Sequence, residues 1–288
     1  MPIDPHALLA CKIPETRMHM TSRDTMLYAL GIGFGSDPTD PDELRFVHER
    51  ALVACPSMAT ILAAPHAWIR KAGVGFSGKS VHAGIRFDLH RPLPVEGHFR
   101  SVNTVGNIVD KGPGRHLLVE TRRQGFIDGI DEPLFDISST GMLLGEGGIM
   151  PGSDGGAPRP EAFPQRTADR LAQARTLPQQ ALIYRLSGDM NPLHADPDTA
   201  RRAGFARPIL HGLCTFGIAC RLLVQLLCPD CPGRLVSMAA RFSKPVFPGD
   251  LLQLRLWQGD AGFQFRCVLP ERGDAVALDA GTAHTTLP

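Results

Sequence analysis

At 288 residues, 43% of them apolar, the chain is long enough for two domains or one large one with a well-filled core. Its formal net charge of +1 supplies no field for nucleic acid or an anionic membrane, and no uncharged apolar run approaches the roughly eighteen residues of a bilayer span. Seven cysteines, an odd number in mostly apolar surroundings, read as reduced thiols of a cytoplasmic protein. The Met1-Pro-Ile-Asp4 start has no signal-peptide pattern, and the Thr285-Thr-Leu-Pro288 end is no peroxisomal address.

In chain order, Gly31-Ile-Gly33-Phe-Gly35 lacks the preceding strand and the spacing of a nucleotide-binding loop. A short apolar stretch from Ser57 to Ala64 follows Cys55-Pro56 and is broken by Pro65. The Gly- and Pro-rich run from Gly145 to Pro164 reads as a linker, which divides the chain into residues 1–144 and 165–288. Thr176 with Gln179 predicts a capping box for a short helix ending near Ser187. Leu213 to Leu227 has only Thr215, Arg221 and Gln225 as clearly polar positions, the pattern of a helix buried on nearly all sides. Cys228-Pro-Asp-Cys231, with no second cysteine pair, reads as a structural loop and not as a zinc site. Leu252, Leu254 and Leu256, then Phe263, Phe265, Cys267 and Leu269, alternate with other residues and predict a hairpin across Gly259–Gly262.

The two halves echo each other. Tyr28 and Tyr184, the only tyrosines, stand in matching frames, and the same offset of 156 sets Cys55-Pro56 against His211-Gly212. Arg91-Pro-Leu-Pro-Val-Glu-Gly97 matches Lys244-Pro-Val-Phe-Pro-Gly249, and Phe135–Gly141 matches Ala277–Gly281. A long helix followed by antiparallel strands in each half is an α+β arrangement, a central helix wrapped by a sheet. Where the second half has Asp189 the first has Gly33, and where the second has Gly212 the first has Pro56, which has no N–H to donate. The first half therefore keeps a shape without the chemistry, which makes it a candidate substrate platform. The acyl-tail pocket is expected near Ser57–Ala64.

The chemistry concentrates in Tyr184-Arg-Leu-Ser-Gly-Asp-Met-Asn-Pro-Leu-His194. Gly188 lets a helix stop, and Pro192 bars regular helix through Asn191, so Asp189, Asn191 and His194 lie on an irregular loop. A carboxylate and an imidazole together can take and return a proton near neutral pH. No Ser or Cys stands beside them in a nucleophile motif. Downstream, Pro208-Ile-Leu-His-Gly212 opens the buried helix, whose free N–H groups suit a developing oxyanion. On the residues alone, Asp189 and Asn191 could equally cap a turn, and His194, Asp196, Asp198 and His211 could form a metal site.

These runs, together with Leu27-Tyr-Ala-Leu-Gly-Ile-Gly33, His90-Arg-Pro-Leu-Pro94 and Val109-Asp-Lys-Gly112, resemble the MaoC-like (R)-specific enoyl-CoA hydratases. The likeness is nearest to the two-domain type related to the peroxisomal multifunctional enzyme. It implies a double hot-dog fold and reversible addition of water to a trans-2-enoyl-CoA. It implies no cofactor, coenzyme A entering only within the substrate; no ligand set of adequate spacing for a metal is read in the chain, and a homodimer is the expected assembly. By the resemblance Asp189 and His194 are the catalytic pair, Asn191 orients them, and the Gly212 N–H holds the thioester oxygen. Substrate contacts are carried over to His82, Ala83, Lys111, Gly188 and Phe242. The run His82-Ala83-Gly84-Ile85 departs from the His-Gly-Glu-Gln of many relatives. A hot-dog acyl-CoA thioesterase and a non-enzymatic acyl-CoA-binding protein are the alternative readings.

Overall fold

The computed structural model describes residues 3–65, 68–71, 73, 74, 76, 78–150, 163–260 and 262–286. Ten strands form one antiparallel sheet: β1 (Ile13–Met20), β2 (Ser80–Leu89), β3 (Gly97–Asp110), β4 (Leu117–Ile127), β5 (Phe135–Leu143), β6 (Arg170–Arg175), β7 (Leu235–Phe242), β8 (Leu251–Gly259), β9 (Gly262–Leu269) and β10 (Ala275–Thr285). Their order is β1-β3-β4-β5-β2-β7-β10-β9-β8-β6. The first five run 1-3-4-5-2 to the middle, and the second five repeat the same pattern in reverse from the other edge. The halves join where β2 pairs with β7, from Gly84 opposite Arg241 to Asp88 opposite Ser237. Each internal echo falls on equivalent places. Arg91–Gly97 and Lys244–Gly249 connect β2 to β3 and β7 to β8, and the Phe135 and Ala277 runs lie in β5 and β10. This is the double hot-dog layout. Of the expected linker, residues 151–162 lie outside the described residues.

Alternation explains the hairpin of β8 and β9. Leu252, Leu254, Leu256, Phe265, Cys267 and Leu269 are buried on the inner face. Trp257 is buried on the outer one, where its indole N–H donates to the Arg166 carbonyl (3.0 Å) and its ring meets Phe163. The segment after the linker thus covers part of the outer face.

Inside the sheet runs one long helix, Gly212–Leu227, with every residue from Cys214 to Val224 buried. Each of its polar side chains finds a partner, although Arg221 Nε stays buried without one. Thr215 Oγ1 donates to the His211 carbonyl, Arg221 donates to the Gly33 carbonyl and pairs with Glu43, and Gln225 Nε2 donates to Glu43 Oε1. The first half does not have the expected long counterpart. Its chain makes only a 3-10 turn, Pro56–Thr60, and Ala63 then takes the left-handed conformation (φ 47°) two residues before Pro65. Neither a β-carbon in that region nor an N–H-less proline sustains an α-helix. The expected capping box is also absent. Thr176 Oγ1 instead donates to the Asp250 carbonyl and accepts from Gly249 N, which pins the chain to the turn before β8. Among the described residues no helix is long and apolar enough to cross a membrane.

The long helix meets the other half at Gly217, where an added Cβ would stand 2.4 Å from Ile32 Cγ2. Gly217→Ala is expected to cost about 1–3 kcal/mol through overpacking, against its better helix propensity. A thermal melt lower by a few degrees would register this, and an unchanged or raised Tm would show that the contact yields.

Candidate active site

The helix Gln180–Tyr184 tightens into a 3-10 turn and ends at Gly188, whose φ of 119° is open to glycine and strained for any other residue. The chain turns there and presents Asp189. Asp189 Oδ1 accepts from Asn191 N (3.1 Å), and Asn191 Oδ1 accepts from Leu193 N (3.1 Å), capping the 3-10 turn Pro192–His194. Asn191 thus acts by shaping the loop between Asp189 and His194. His194 Nδ1 lies 2.9 Å from the Ile209 carbonyl, so this nitrogen carries the hydrogen and Nε2 keeps a free lone pair. His211 Nε2 donates in the same way to the Asp189 carbonyl at 3.1 Å.

The two imidazoles stack with centroids 3.8 Å apart, and one ligand atom from each of Asp189, His194 and His211 falls within 4.8 Å of the others. Burial pushes the His194 pKa down, against the raising pull of the Ile209 carbonyl and the Asp189 charge. His211 is pushed down to about 4 by burial and then by the neighbouring His194. Both rings are neutral at neutral pH, and such a trio can hold a water or a metal ion. Asp196 and Asp198 belong to neither arrangement. Asp196 caps the helix Pro197–Arg202, and Asp198 pairs with Arg201.

Two cavities meet here. The larger, about 980 Å³, is lined by His82, Ala83, Lys111, Asn191, His194, Gly212 and Phe242 among others. The smaller, about 330 Å³, runs into the first half past Thr60, Ile61 and Ala64. Asp189, His82 and Leu213 border both. Of the residues expected at the site only Gly188 lines neither; its part is the turn that delivers Asp189. Gly212 opens the long helix with no side chain capping it, and a Cβ there would press on Phe242 Cε1 at 3.1 Å. His82 reaches in from β2, with Nε2 2.8 Å from Ser139 Oγ and its ring 4.8 Å from Phe242. Burial takes its pKa down to about 4.

Residues 160–272 match the MaoC-like domain, and residues 18–145 match the N-terminal domain of the MFE-2 hydratase 2 family. An enoyl-CoA hydratase of Mycobacterium tuberculosis is 35% identical over 283 residues, 96% of this chain and 97% of that protein. The chain belongs to the MaoC-like hydratase 2 family. The peroxisomal enoyl-CoA hydratase 2 of Arabidopsis thaliana is likewise 35% identical, covering 93% of this chain and 92% of its own. Among solved structures, a MaoC-like dehydratase from Phytophthora capsici superposes with a TM-score of 0.85 and 30% identity over 99% of this chain and all of the other. A Mycobacterium tuberculosis protein described as a double hotdog aligns with a TM-score of 0.58 at 16% identity over 96% of this chain and 95% of its own, a likeness of fold alone.

In this MaoC-like chain the place equivalent to the site is filled in the other half. A Cβ at Gly33, the counterpart of Asp189, would meet Arg221 Nη1 at 2.6 Å. The sequence left three kinds of lining residue unmarked. His211 stood out as the start of a helix and as one member of a possible metal set with Asp196 and Asp198, not as the ring stacked on His194. Arg115, Arg241 and Lys244, which give the large cavity a cationic rim with Lys111, are scattered over separate strands and turns. Arg123 and Asn103 in the smaller cavity carry no motif.

His82 and His211 titrate near 4 when folded and return to the ordinary 6.5 when unfolded. Between those values the unfolded chain binds more protons, so stability falls as pH drops. Melts taken from pH 6.5 down to 4 should show a declining Tm, and His82→Gln should flatten the decline. A Tm constant across that window would show that neither ring is held neutral.

Proposed function

We propose that the chain is an (R)-specific 2-enoyl-CoA hydratase that also runs as a 3-hydroxyacyl-CoA dehydratase, with Asp189 and His194 as its acid–base pair. Family membership makes it a hydro-lyase acting on an acyl-CoA thioester. The observation that carries the residue assignment is the position of Asp189 and His194 beside an uncapped helix end, with Asp189 at the junction of the two cavities.

In hydration, a water held between Asp189 and His194 gives a proton to the pair as its oxygen bonds to C3. The C2=C3 electron pair moves towards C1, and the enolate oxygen is met by the Gly212 N–H. Such a donor is worth about 3 kcal/mol in comparable sites. The pair then returns a proton to C2 on the same face, and dehydration is the reverse. His194 suits this role because its Nε2 lone pair is free and its pKa is lowered.

The larger cavity takes coenzyme A, with Lys111, Arg115, Arg241 and Lys244 available to its phosphates and His82, Ala83 and Phe242 beside the thioester arm. The smaller cavity takes the acyl tail, so residues up to 144 serve as substrate platform and those from 165 as catalytic unit. Of the segment expected to form the tail pocket, Thr60, Ile61 and Ala64 line it, whereas Ala59 and Ala63 are buried elsewhere. The truncated first-half helix is what leaves this volume free.

Asp189→Asn and His194→Gln are each expected to lower hydration of crotonyl-CoA about a hundredfold or more with unchanged melting. Near-normal turnover in either would remove that residue from the role. Hydrolysis of saturated acyl-CoA by the unaltered protein would favour a thioesterase, and a rate lost to chelator and restored by zinc would favour a metal held by Asp189, His194 and His211. Ala64→Phe should raise KM for long-chain enoyl-CoA far more than for crotonyl-CoA. Equal effects on both, with intact melting, would place the tail elsewhere.

A further inference from the structure

The wall of the smaller cavity holds a buried arginine with no carboxylate partner among the described residues. Arg123 on β4 is only 6% exposed. Its Nη2 donates to the carbonyls of Ala59 (3.1 Å) and Thr60 (2.7 Å), which close the short 3-10 turn. Its Nε is buried without a hydrogen-bond partner. The face of Phe135 lies 5.9 Å from the guanidinium carbon and offers only weak compensation. Burial pushes the Arg123 pKa down to about 9, so the group is still charged at neutral pH.

A lone buried charge is costly, and two carbonyl contacts leave much of a guanidinium's donor capacity unused. The polar groups beside it on the sheet and the turn are different, because each has a partner within the protein, whereas the Tyr184 and Ser187 hydroxyls, which also line the cavity, are buried without one. Thr60 Oγ1 donates to the Ser57 carbonyl, Thr121 Oγ1 to the Ser139 carbonyl, and Asn103 Nδ2 to Ser101 Oγ. Asn103 sits directly across from Arg123 in the β3–β4 ladder and lines the same cavity. Around them Ile61, Ile69, Val119 and Ile137 give an apolar surround, while His82, Ser139 and Asp189 also line the cavity. Around Arg123 the cavity therefore combines apolar sides with one unneutralised cation. Arg123 lies two strands away from β2, about 10 Å across the sheet at ordinary strand spacing, and the ladder sets it level with Ile137 and Phe87, further along the strands from His82 beside Asp189.

We infer that this cavity accepts an acyl chain bearing a carboxylate, whose oxygens pair with Arg123 at a distance from the double bond. The inference rests on the hydratase reading, since that reading puts the acyl tail here. A carboxylate would supply both the missing counter-charge and acceptors for the free guanidinium donors. A short enoyl group bound at Asp189 would not reach it.

The test compares two enoyl-CoA series of matched length on the unaltered protein, one ending in methyl and one in carboxylate, with crotonyl-CoA as reference. At lengths that span the gap, the carboxylate series should show kcat/KM higher by about tenfold or more, because a site built for a polar group discriminates strongly against its absence. Arg123→Gln should bring that ratio towards one. Equal or better turnover of the methyl series at every length overturns the inference, as does a preference that survives in Arg123→Gln. If that variant fails to melt normally, the comparison on the unaltered protein decides without it. If crotonyl-CoA and both series are left untouched, the hydratase reading itself has failed. Calorimetric binding of saturated acyl-CoA and its carboxylate-ended analogue then separates the two questions, and tighter binding of the methyl-ended ligand would sink the cavity assignment.

Discussion

Everything at the site hangs on the burial of one helix, Gly212–Leu227, inside the curved sheet. A helix enclosed on nearly all sides must find internal partners for each polar group it carries. This one takes them from the other half of the chain. Arg221 reaches the Gly33 carbonyl and Glu43, Gln225 reaches Glu43, and Cys214 Sγ donates to the Gly31 carbonyl at 3.3 Å. A buried ion pair is a poor source of stability but a strict requirement of register, since a shifted helix would strand both charges. These contacts fix where the helix begins, and its beginning faces Asp189 and His194 at one end of the larger cavity.

The symmetry of the sheet makes the asymmetry of its contents informative. Both halves have five strands in the same order, and Tyr28 and Tyr184 meet across the middle with centroids 6.0 Å apart. Only the second half fills its concave face with a long helix. In the first, the chain turns away after Thr60, and the volume that a helix would occupy becomes a cavity of about 330 Å³. The helix that is present sets Arg221 against Gly33, the counterpart of Asp189, and where the first half has no long helix a cavity lies beside Asp189. On the proposed function, loss of chemistry in one half and gain of space are two results of the same divergence.

The parts of this arrangement legible in the sequence were those with local signatures. Gly188, Pro192 and the Asx turns of Asp189 and Asn191 announce an irregular loop, and the strict alternation in β8 and β9 announces a hairpin. The long helix was plain from its composition, and duplication was plain from the tyrosine frames. What stayed hidden depends on contacts distant in sequence. Thr176 and Gln179 satisfy a capping pattern, yet Thr176 is drawn to Asp250 by tertiary contact. Pro65 marked a break after the first-half stretch, but the 3-10 turn and the positive φ of Ala63 that end it sooner are encoded by no side-chain pattern. Arg123 looks like any strand arginine until the register sets it opposite Asn103, pointing inward.

The stacked histidines show how such a site can be reversible. His211 stands at the positive end of the helix dipole and 3.8 Å from His194, so both rings cannot be charged together at acceptable cost. His211 spends its Nε2 hydrogen on the Asp189 carbonyl, which ties the loop to the helix end and leaves its Nδ1 buried without a partner. On the proposed mechanism a proton taken by His194 enters a setting that disfavours keeping it, because burial opposes the cation by more than the Ile209 carbonyl and the Asp189 charge support it. A base held in that balance passes its proton on to carbon or back to water with similar ease. On that mechanism the same contacts that hold Asp189 in place also leave the pair able to work in either direction.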